Sequence, residues 1–277
     1  MSTSAAKHKL SGLDNNRMHQ AAEILLKARR EVAPIHELPQ KLRPSNLDEA
    51  YALQDIMALS VSPNIKESGK SIGPIGGWKI GAPSPDATPL FSPMPLWGGY
   101  AHSGDCVSAS FRRLRGVEAE IAFLLGEDLP PRTTPYSREE VGDAIASAHP
   151  AIEMLESAFR DPDKVDRLSM IGDLQMNGGF AHGAAVPNWK NLNLAEESVE
   201  VVVDGDRRFE GKASNSAGTD LLRLVIWLAN EGSYRTGGLQ AGQWITTGSW
   251  SGKTSARSGS QVEVGFSNFG KVNLKFE

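Results

Sequence analysis

The sequence predicts an α+β fold in which a small helical lobe, residues 1–70, precedes a β-rich domain, residues 71–277. Two segments of the first part carry apolar side chains at helical spacing. After about residue 70, glycine and proline become frequent, and most of the apolar runs alternate as they do in strands. This change in composition and period sets the predicted boundary.

Two helices are predicted in the N-terminal lobe. The first lies in NRMHQAAEILLKARREV, residues 16–32, and the basic residues near its end complement the helix dipole. The second lies in SNLDEAYALQDIMALSV, residues 45–61, where Ser45 or Asn46 can cap the first turn. Prolines between the two segments indicate a linker.

The β-rich part contains alternating segments joined by turn residues. The predicted strands are GGWKIGAP (76–83), RGVEAEIAFLL (115–125), both arms of ESVEVVVDGDRRFEG (197–211), QWITTGSW (243–250) and both arms of the closing QVEVGFSNFGKVNLKF (261–276). Asp204-Gly205 is typical of a type I′ hairpin turn. The apolar segment GTDLLRLVIWLANEG, residues 218–232, predicts a buried helix with Gly232 in the C-cap position.

Composition limits the function classes. The 277 residues are 40% hydrophobic, with a formal net charge of -4 and a pI near 5.9, so no basic face for nucleic acid or a membrane surface is indicated. One cysteine, Cys106, rules out an internal disulfide and suits a reducing compartment. The N-terminal segment has no apolar signal-peptide core, and no run approaches a membrane span. We therefore expect a cytoplasmic protein with neither nucleic acid nor membrane as a partner.

Two glutamates in one strand suggest a metal site. Glu118 and Glu120 stand two residues apart in RGVEAEIAFLL, so both side chains point to the same face. Two like charges this close repel each other, and burying them without a partner is costly. A hard divalent cation would offset that cost with its preference for carboxylate oxygens. The alternative is a half-exposed strand whose glutamates face water.

Two further charged residues sit among apolar neighbours. Glu153 lies within AIEML, and Lys79 lies within GGWKIGAP. Each has a structural alternative: the glutamate can stand at a solvent edge, and the lysine can extend its amine to the surface. Together with Glu118 and Glu120 they form a possible site of one cation and one amine, although no spacing rule requires them to meet.

Several segments resemble one family in their order along the chain. VEAEIAFLLGEDL (117–129) resembles the motif EPEIAFVLGKDL, and GGWKIG (76–81) resembles GxKxG. LDEAYALQD (47–55), HPAIEMLESAFRD (149–161) and WLANEGSYRTGGLQAGQWITTGS (227–249) are similar to further motifs, as is the closing segment. On these residues the chain resembles the 2-keto-4-pentenoate hydratase group of the fumarylacetoacetate hydrolase superfamily.

The resemblance implies a mixed β-roll or sandwich of the superfamily's C-terminal type, a homo-oligomer, and roles for named residues. It places Mg²⁺ or Mn²⁺ on Glu118, Glu120 and Glu153 and makes Lys79 the catalytic residue. It places substrate contacts at four positions, which are Asp173, Arg160, Thr247 and Ser249. The implied reaction adds water to a small 2-hydroxydienoate or 2-oxoalkenoate in aromatic or related catabolism.

Two departures from the family's motifs leave other functions open. Leu96 stands where several hydratases have an aspartate, and Ala158 stands where the family has an arginine. The alternatives are a metal-dependent 2-oxo acid decarboxylase or C–C hydrolase on the same scaffold. A catalytically silent homologue that binds a keto acid is the third alternative.

Overall fold

The structure is a computed structural model that describes residues 12–60, 66–67, 70–71, 74–108 and 112–277. Six α-helices lie within these ranges, and the two longest precede the sheets. The helices are α1 (Gly12–Arg30), α2 (Leu47–Leu59), α3 (Arg138–Ala144), α4 (Arg167–Gly172), α5 (Leu221–Asn230) and α6 (Ser233–Thr236).

Fifteen strands lie within the same ranges, most of them after residue 74. The strands are β1 (Lys66–Glu67), β2 (Lys70–Ser71), β3 (Ile75–Gly81), β4 (Leu90–Pro95), β5 (Tyr100–His102), β6 (Cys106–Val107), β7 (Gly116–Leu125), β8 (Ile145–Leu155), β9 (Asn177–His182), β10 (Ser198–Val203), β11 (Asp206–Lys212), β12 (Trp244–Thr246), β13 (Thr254–Ser255), β14 (Gln261–Phe266) and β15 (Gly270–Phe276).

Two mixed sheets form the body of the β-rich part, and β1 and β2 form a separate short pair. The larger sheet has the order β4-β3-β12-β7-β8-β9-β5, with β13 paired to β7. The smaller sheet has the order β11-β10-β14-β15-β6. Most pairs are antiparallel, whereas β12 with β3, β5 with β9, and β15 with β6 are parallel.

The main core lies between the two sheets. Val117 and Ile121 of β7 share one buried cluster with Val201 of β10, Val264 of β14 and Val272 of β15. Because side chains alternate along a strand, the intervening residues of β7 point to the opposite face of the large sheet. Glu118 and Glu120 are on that opposite face.

The N-terminal helices share a second cluster with the β-rich part. Leu25 of α1 and Met57 of α2 pack in one buried group with Ala158, Phe159 and Leu174. The helices thus cover the region after β8 with their apolar faces. The domain boundary near residue 70 stays a prediction.

Most of the predicted elements are present. Asn46 caps α2, where its side chain accepts a hydrogen bond from the backbone N–H of Glu49. At the β10–β11 turn both Asp204 and Gly205 have positive φ values, 55° and 85°, as a type I′ turn requires.

The predicted C-cap role of Gly232 is wrong. Its φ of -74° is right-handed, and the cap residue of α5 is Glu231. The chain continues into the short helix α6, and Gly237 takes the left-handed conformation after it, with φ at 72°. The helical segment is longer than expected because Tyr234 and its neighbours extend it by one turn.

Candidate active site

Three carboxylates meet on the face of the large sheet opposite the main core. Glu118 and Glu120 project from β7, and the register of β7 with β8 places Glu153 directly across from Glu118. One oxygen from each carboxylate lies within 4.8 Å of the others. Glu120 and Glu153 are buried and Glu118 is half-buried. Strands β7 and β8 therefore bring the three carboxylates together.

Lys79 contacts the same cluster from a third strand, β3. Strand β3 pairs with β12, which in turn pairs with β7, so Lys79 lies two strands away from the glutamates of β7. Its Nζ donates to Glu153 Oε1 at 2.7 Å and to the backbone carbonyl of Gln175 at 3.1 Å. An ammonium group has three N–H donors, so one remains for a ligand. The side chain is 15% exposed.

Polar neighbours hold two of the carboxylates in place. Glu120 Oε2 accepts hydrogen bonds from the Thr246 hydroxyl and, at 3.1 Å, from the backbone N–H of Gly248. Glu153 Oε1 accepts a second hydrogen bond from Asn177 Nδ2 at 2.9 Å. The other oxygen, Glu153 Oε2, is buried and has no hydrogen-bond partner. A buried acceptor of this kind ordinarily has a ligand or ion beside it.

The electrostatics of the cluster favour a cation. Burial raises the pKa of Glu118 to about 7; the charge of Glu153 acts in the same direction, and the attraction of Lys79 and Lys253 only partly opposes the rise. Burial and the other two carboxylates raise the pKa of Glu120 well above its ordinary value. Burial alone would lower the pKa of Lys79, but the three carboxylates outweigh it and raise this pKa. Three carboxylates and one ammonium carry a formal charge of -2, and their oxygens suit a hard divalent ion.

A cavity of about 570 Å³ opens beside the cluster. Lys79, Glu118 and Glu120 are among the residues that line it. Apolar side chains, among them Leu90 and Met170, line its wall. This volume is in the range that small-molecule sites occupy.

A larger cavity of about 720 Å³ lies elsewhere and is lined by Phe123, Trp189 and Asp220 among others. Its charged groups Arg138 and Asp220 are paired with each other, as are Lys190 and Asp143. None of the three clustered glutamates lines it. We therefore assign the chemistry to the smaller cavity, because that cavity holds charges that the protein leaves uncompensated.

A left-handed backbone segment forms part of the site. Leu174, Gln175 and Met176 have consecutive positive φ values of 56°, 48° and 66°. This conformation costs a side-chain-bearing residue on the order of 1–2 kcal/mol. It directs the carbonyl of Gln175 at the ammonium of Lys79, and Gln175 and Met176 also line the cavity. Strain of this kind is typical of functional sites.

Asp173 is not among the residues that line the cavity, and its contact with substrate stays a prediction. It is fully buried, and Arg29 Nε donates to its Oδ1 at 2.7 Å. Its Oδ2 accepts from the Ser157 hydroxyl at 2.6 Å and from the Ala158 N–H at 2.8 Å. Because both of its oxygens accept hydrogen bonds, Asp173 links Arg29 of α1 to the segment after β8.

Of the other predicted substrate contacts, the structure places Ser249 in the cavity wall and two residues outside it. Thr247 is buried, and its hydroxyl donates to the carbonyl of Ile121 at 2.6 Å, so it holds strands β12 and β7 together. Arg160 is exposed and does not line the cavity. The structure thus gives Thr247 a packing role and keeps Arg160 on the surface.

The two departures from the family's motifs also lie outside this cavity. Leu96 is buried in the turn after β4, and Ala158 is buried against the N-terminal helices. Neither lines the space beside the glutamates. The expected change at the substrate end is therefore not located at these two positions.

Sequence reasoning missed five residues of the site. Thr246 was overlooked beside Thr247. Thr246 pairs with Ala122, which is two positions after Glu120, so Thr246 and Glu120 lie on the same face of the sheet. Strand alternation places Thr247 on the other face. Asn177 and Gln175 gave no sequence signal, since their placement depends on the left-handed turn. Arg167, the first residue of α4, and Lys253, just before β13, also line the cavity.

Within the described part of the chain, no helix is both long and apolar enough to cross a membrane.

Comparison with known proteins agrees with this architecture. Over 262 residues the chain is 27% identical to a 2-keto-4-pentenoate hydratase of Paraburkholderia xenovorans, covering 93% of this chain and 94% of that protein. It is 24% identical to a 2-oxo-hept-4-ene-1,7-dioate hydratase of Escherichia coli, over 83% of this chain and 86% of that protein.

A solved structure shares the predicted fold. It is a 4-oxalocrotonate decarboxylase from Pseudomonas putida, complexed with magnesium and adipate, at a TM-score of 0.75 and 20% identity. The match covers 97% of this chain and 99% of that one, which confirms the α+β fold class. The family model described as fumarylacetoacetate (FAA) hydrolase C-terminal matches residues 82–277, and the chain therefore belongs to the fumarylacetoacetate hydrolase family.

Proposed function

We propose that this protein is a hydro-lyase that adds water to a small 2-hydroxydienoate or 2-oxoalkenoate with the help of Mg²⁺ or Mn²⁺. The observation that carries the proposal is the cluster of Glu118, Glu120 and Glu153 with Lys79, three of which line one cavity. The hydratase names of the relatives support the reaction class, and the magnesium in the structural relative supports the cofactor class.

The residues present fit a divalent cation. A cation bound among the three carboxylates would give the unpartnered oxygen of Glu153 a ligand contact. It would also stabilise the charged forms of Glu118 and Glu120 and so oppose the rise of their pKa values. Thr246 and Asn177 orient the carboxylates, as hydrogen-bonding neighbours commonly do around metal ligands. When bound, the cation would supply Lewis-acid stabilisation of negative charge on a 2-oxo acid.

In this proposal Lys79 stabilises the enolate form of the substrate. Glu153 and Gln175 hold its ammonium, and the remaining N–H donates to the 2-oxygen of the substrate. In the metal-free protein the three carboxylates raise the pKa of Lys79 and favour its charged form, which suits the role of an electrostatic donor to the enolate oxygen. Ser249 and the apolar wall position the carbon chain and limit the access of water.

The direct test is turnover of 2-hydroxypenta-2,4-dienoate with Mg²⁺, with the product identified by mass. A gain of one water supports the hydratase. Release of CO₂ from 4-oxalocrotonate without hydration would instead assign the decarboxylase alternative. Cleavage of an acylpyruvate would assign the C–C hydrolase. Binding of Mg²⁺ and pyruvate without turnover of any of these substrates would assign the catalytically silent homologue.

The metal site is tested separately by calorimetric titration with Mn²⁺. Glu120→Ala should abolish or strongly weaken binding, because it removes one of three ligands. Glu127→Ala is the matched control, since Glu127 is exposed just beyond the end of the same strand. Parent-like Mn²⁺ binding by Glu120→Ala would remove the cluster from the proposal.

We also propose a cytoplasmic homo-oligomer. Light scattering that shows only a 29.8 kDa monomer at micromolar concentration would contradict the assembly. Fractionation of the native cells would test the location.

A further inference from the structure

Resting on the proposed function, we infer that Arg29 of the N-terminal helix α1 is a positioning residue of the active site. It acts on Lys79 through the left-handed segment, residues 174–176, because it holds both ends of that segment. Helix α1 thus contributes to the reaction, although none of its described side chains lines the cavity beside the glutamates.

The guanidinium of Arg29 binds the residues on either side of the left-handed segment. Asp173 stands immediately before the segment, and Arg29 donates to its Oδ1 from Nε at 2.7 Å and to its backbone carbonyl from Nη2 at 2.8 Å. Asn177 follows the segment immediately, and its backbone carbonyl accepts from Arg29 Nη1 at 2.8 Å. Nη2 also donates to the carbonyl of Glu156 at 3.1 Å. One planar side chain therefore fixes the two ends of the segment relative to each other.

The left-handed segment needs contacts from outside to keep its conformation. A positive φ is unfavourable for each of its three residues, and such a conformation persists only where the surrounding structure fixes it. The backbone supplies two neutral contacts, from the Met176 N–H to the Asp173 carbonyl at 3.1 Å and from the Glu156 N–H to the Met176 carbonyl at 2.9 Å. Leu174 adds apolar packing against the N-terminal helices. The buried Arg29 adds the charge-assisted contacts, which are the stronger kind.

The same segment reaches the reactive groups at two points. The carbonyl of Gln175 accepts from Lys79 Nζ at 3.1 Å. Asn177 Nδ2 donates at 2.9 Å to Glu153 Oε1, the oxygen that also accepts from Lys79 at 2.7 Å. Both acceptors of the ammonium are thus held by the segment, one directly and one through Asn177. The direction of the remaining N–H of Lys79 therefore depends on the conformation that Arg29 maintains.

The metal-binding carboxylates depend much less on Arg29. The register of β7 with β8 places the three glutamates. Thr246 and the backbone N–H of Gly248 hold Glu120 from the other side of β7. Loss of Arg29 should therefore disturb the lysine while the cation still binds, and this separates a positioning role from general damage to the site.

The kinetic test is Arg29→Met, assayed with 2-hydroxypenta-2,4-dienoate and Mg²⁺. Its kcat should fall about 10–100-fold, because misplacement of a reacting group by about 1 Å can cost up to that much. Its KM should change little, because the groups that bind the substrate stay in place. Calorimetric titration should show that Mn²⁺ still binds.

Two further variants separate this role from stability and from charge. Arg17→Met removes another arginine of α1, whose Nη2 lies 2.6 Å from the buried carboxylate of Glu49 and whose printed partners all lie before residue 50. It should keep the parent kcat even where it lowers the melting temperature. Arg29→Lys keeps a charge beside Asp173, but its single nitrogen cannot hold both ends of the segment, so kcat should stay low. The lysine variant carries the test if Arg29→Met does not fold.

Hydrogen exchange of the metal-free protein, followed by mass spectrometry, tests the inference without turnover. In Arg29→Met the peptide that contains residues 174–177 should exchange faster than in the parent. The peptide from β14 (Gln261–Phe266) reports global opening, because this strand lies in the other sheet. The acceleration should be larger in the first peptide than in the second, and Arg17→Met should not show this difference.

Several results would overturn the inference. These are a parent-like kcat in folded Arg29→Met, an equal loss of kcat in Arg17→Met, recovery of kcat in Arg29→Lys, or no selective acceleration of exchange at residues 174–177. A raised KM with the parent kcat would also contradict it and would assign the effect to substrate contact by Asp173. If the parent itself does not turn over the dienoate, the proposed function fails, and the exchange experiment still decides whether Arg29 holds the segment.

Discussion

Replacing Lys79 with methionine should destabilise the metal-free protein by an amount that depends on pH. The ammonium lies 2.7 Å from Glu153 and is the charge that offsets the three carboxylates. Methionine has a similar length and fills the same space, so packing changes little. After the substitution, a buried carboxylate is left without its cation, and breaking such a pair ordinarily costs about 3–5 kcal/mol.

The cluster has a way to limit this cost, because one carboxyl can take up a proton. An ordinary glutamic acid has a pKa of 4.5. Keeping one protonated at pH 7 therefore costs about 1.36 × 2.5, or about 3.4 kcal/mol. At pH 5 the same protonation costs about 1.36 × 0.5, or about 0.7 kcal/mol.

The direction of the pH dependence follows from proton binding. Above pH 4.5, the folded variant binds about one more proton than the folded parent does, because the loss of Lys79 raises the pKa of a further carboxyl in the cluster. A raised carboxyl pKa makes the folded state less stable as pH rises. The free energy of unfolding of Lys79→Met should thus be lower than that of the parent by about 3 kcal/mol at pH 7 and by about 1 kcal/mol at pH 5.

Urea unfolding in EDTA at the two pH values measures this difference. Lys164→Met serves as the control, since Lys164 is an exposed lysine paired with Asp161, and it should leave the urea midpoint at the parent value at both pH values. Turnover of the best 2-oxo acid with Mg²⁺ should fall about 10²–10³-fold in Lys79→Met and stay at the parent level in the control.

An equal loss of stability at pH 5 and pH 7 would refute the reasoning. It would mean that the cost arises from packing and that the carboxylates do not depend on Lys79 for their charge balance. Parent-like turnover in Lys79→Met would separately exclude the lysine from the reaction.

Three further predictions concern residues around the site and in the core. Thr246→Val removes the hydroxyl that donates to Glu120 and should weaken Mn²⁺ binding about tenfold by calorimetry; unchanged affinity would contradict the orienting role. Arg29→Met leaves Asp173 buried without its cation and should lower the free energy of unfolding by about 3–5 kcal/mol while Mn²⁺ binding persists; loss of binding in the folded variant would show that Asp173 does act at the site. Burial lowers the pKa of His149, so its unfolded form gains a proton first as pH falls below 6.5, and stability is lost. His149→Gln should reduce the stability lost between pH 7.5 and 5.5 by about 1 kcal/mol, and an unreduced loss in urea titrations would assign the pH dependence to other groups.

Local patterns in the sequence were sufficient for the elements and for part of the site. The 3.6-residue period predicted α1 and α2, and the two-residue period predicted β7 and the closing hairpin, because each period reflects which face of an element is buried. The same alternation placed Glu118 and Glu120 on one face. The sequence by itself thus determined the α+β class, the carboxylate pair and the unusual positions of Lys79 and Glu153 among apolar neighbours.

The tertiary structure decided which of these groups meet. Glu153 stands opposite Glu118 through the register of β7 and β8, and Lys79 reaches it across β12. Register depends on the packing of the whole sheet, so no spacing within one segment encodes it.

Contacts between distant segments also decided the surroundings of several charged residues. Asp173 is drawn to Arg29, 144 residues away, and so became part of the core. Arg167 lines the cavity together with Lys253 because the fold brings the start of α4 and the segment before β13 to the same cavity. The charge of a side chain and its neighbours along the chain can be read from its own segment. Its interaction partners come from other segments, and only folding brings those segments together.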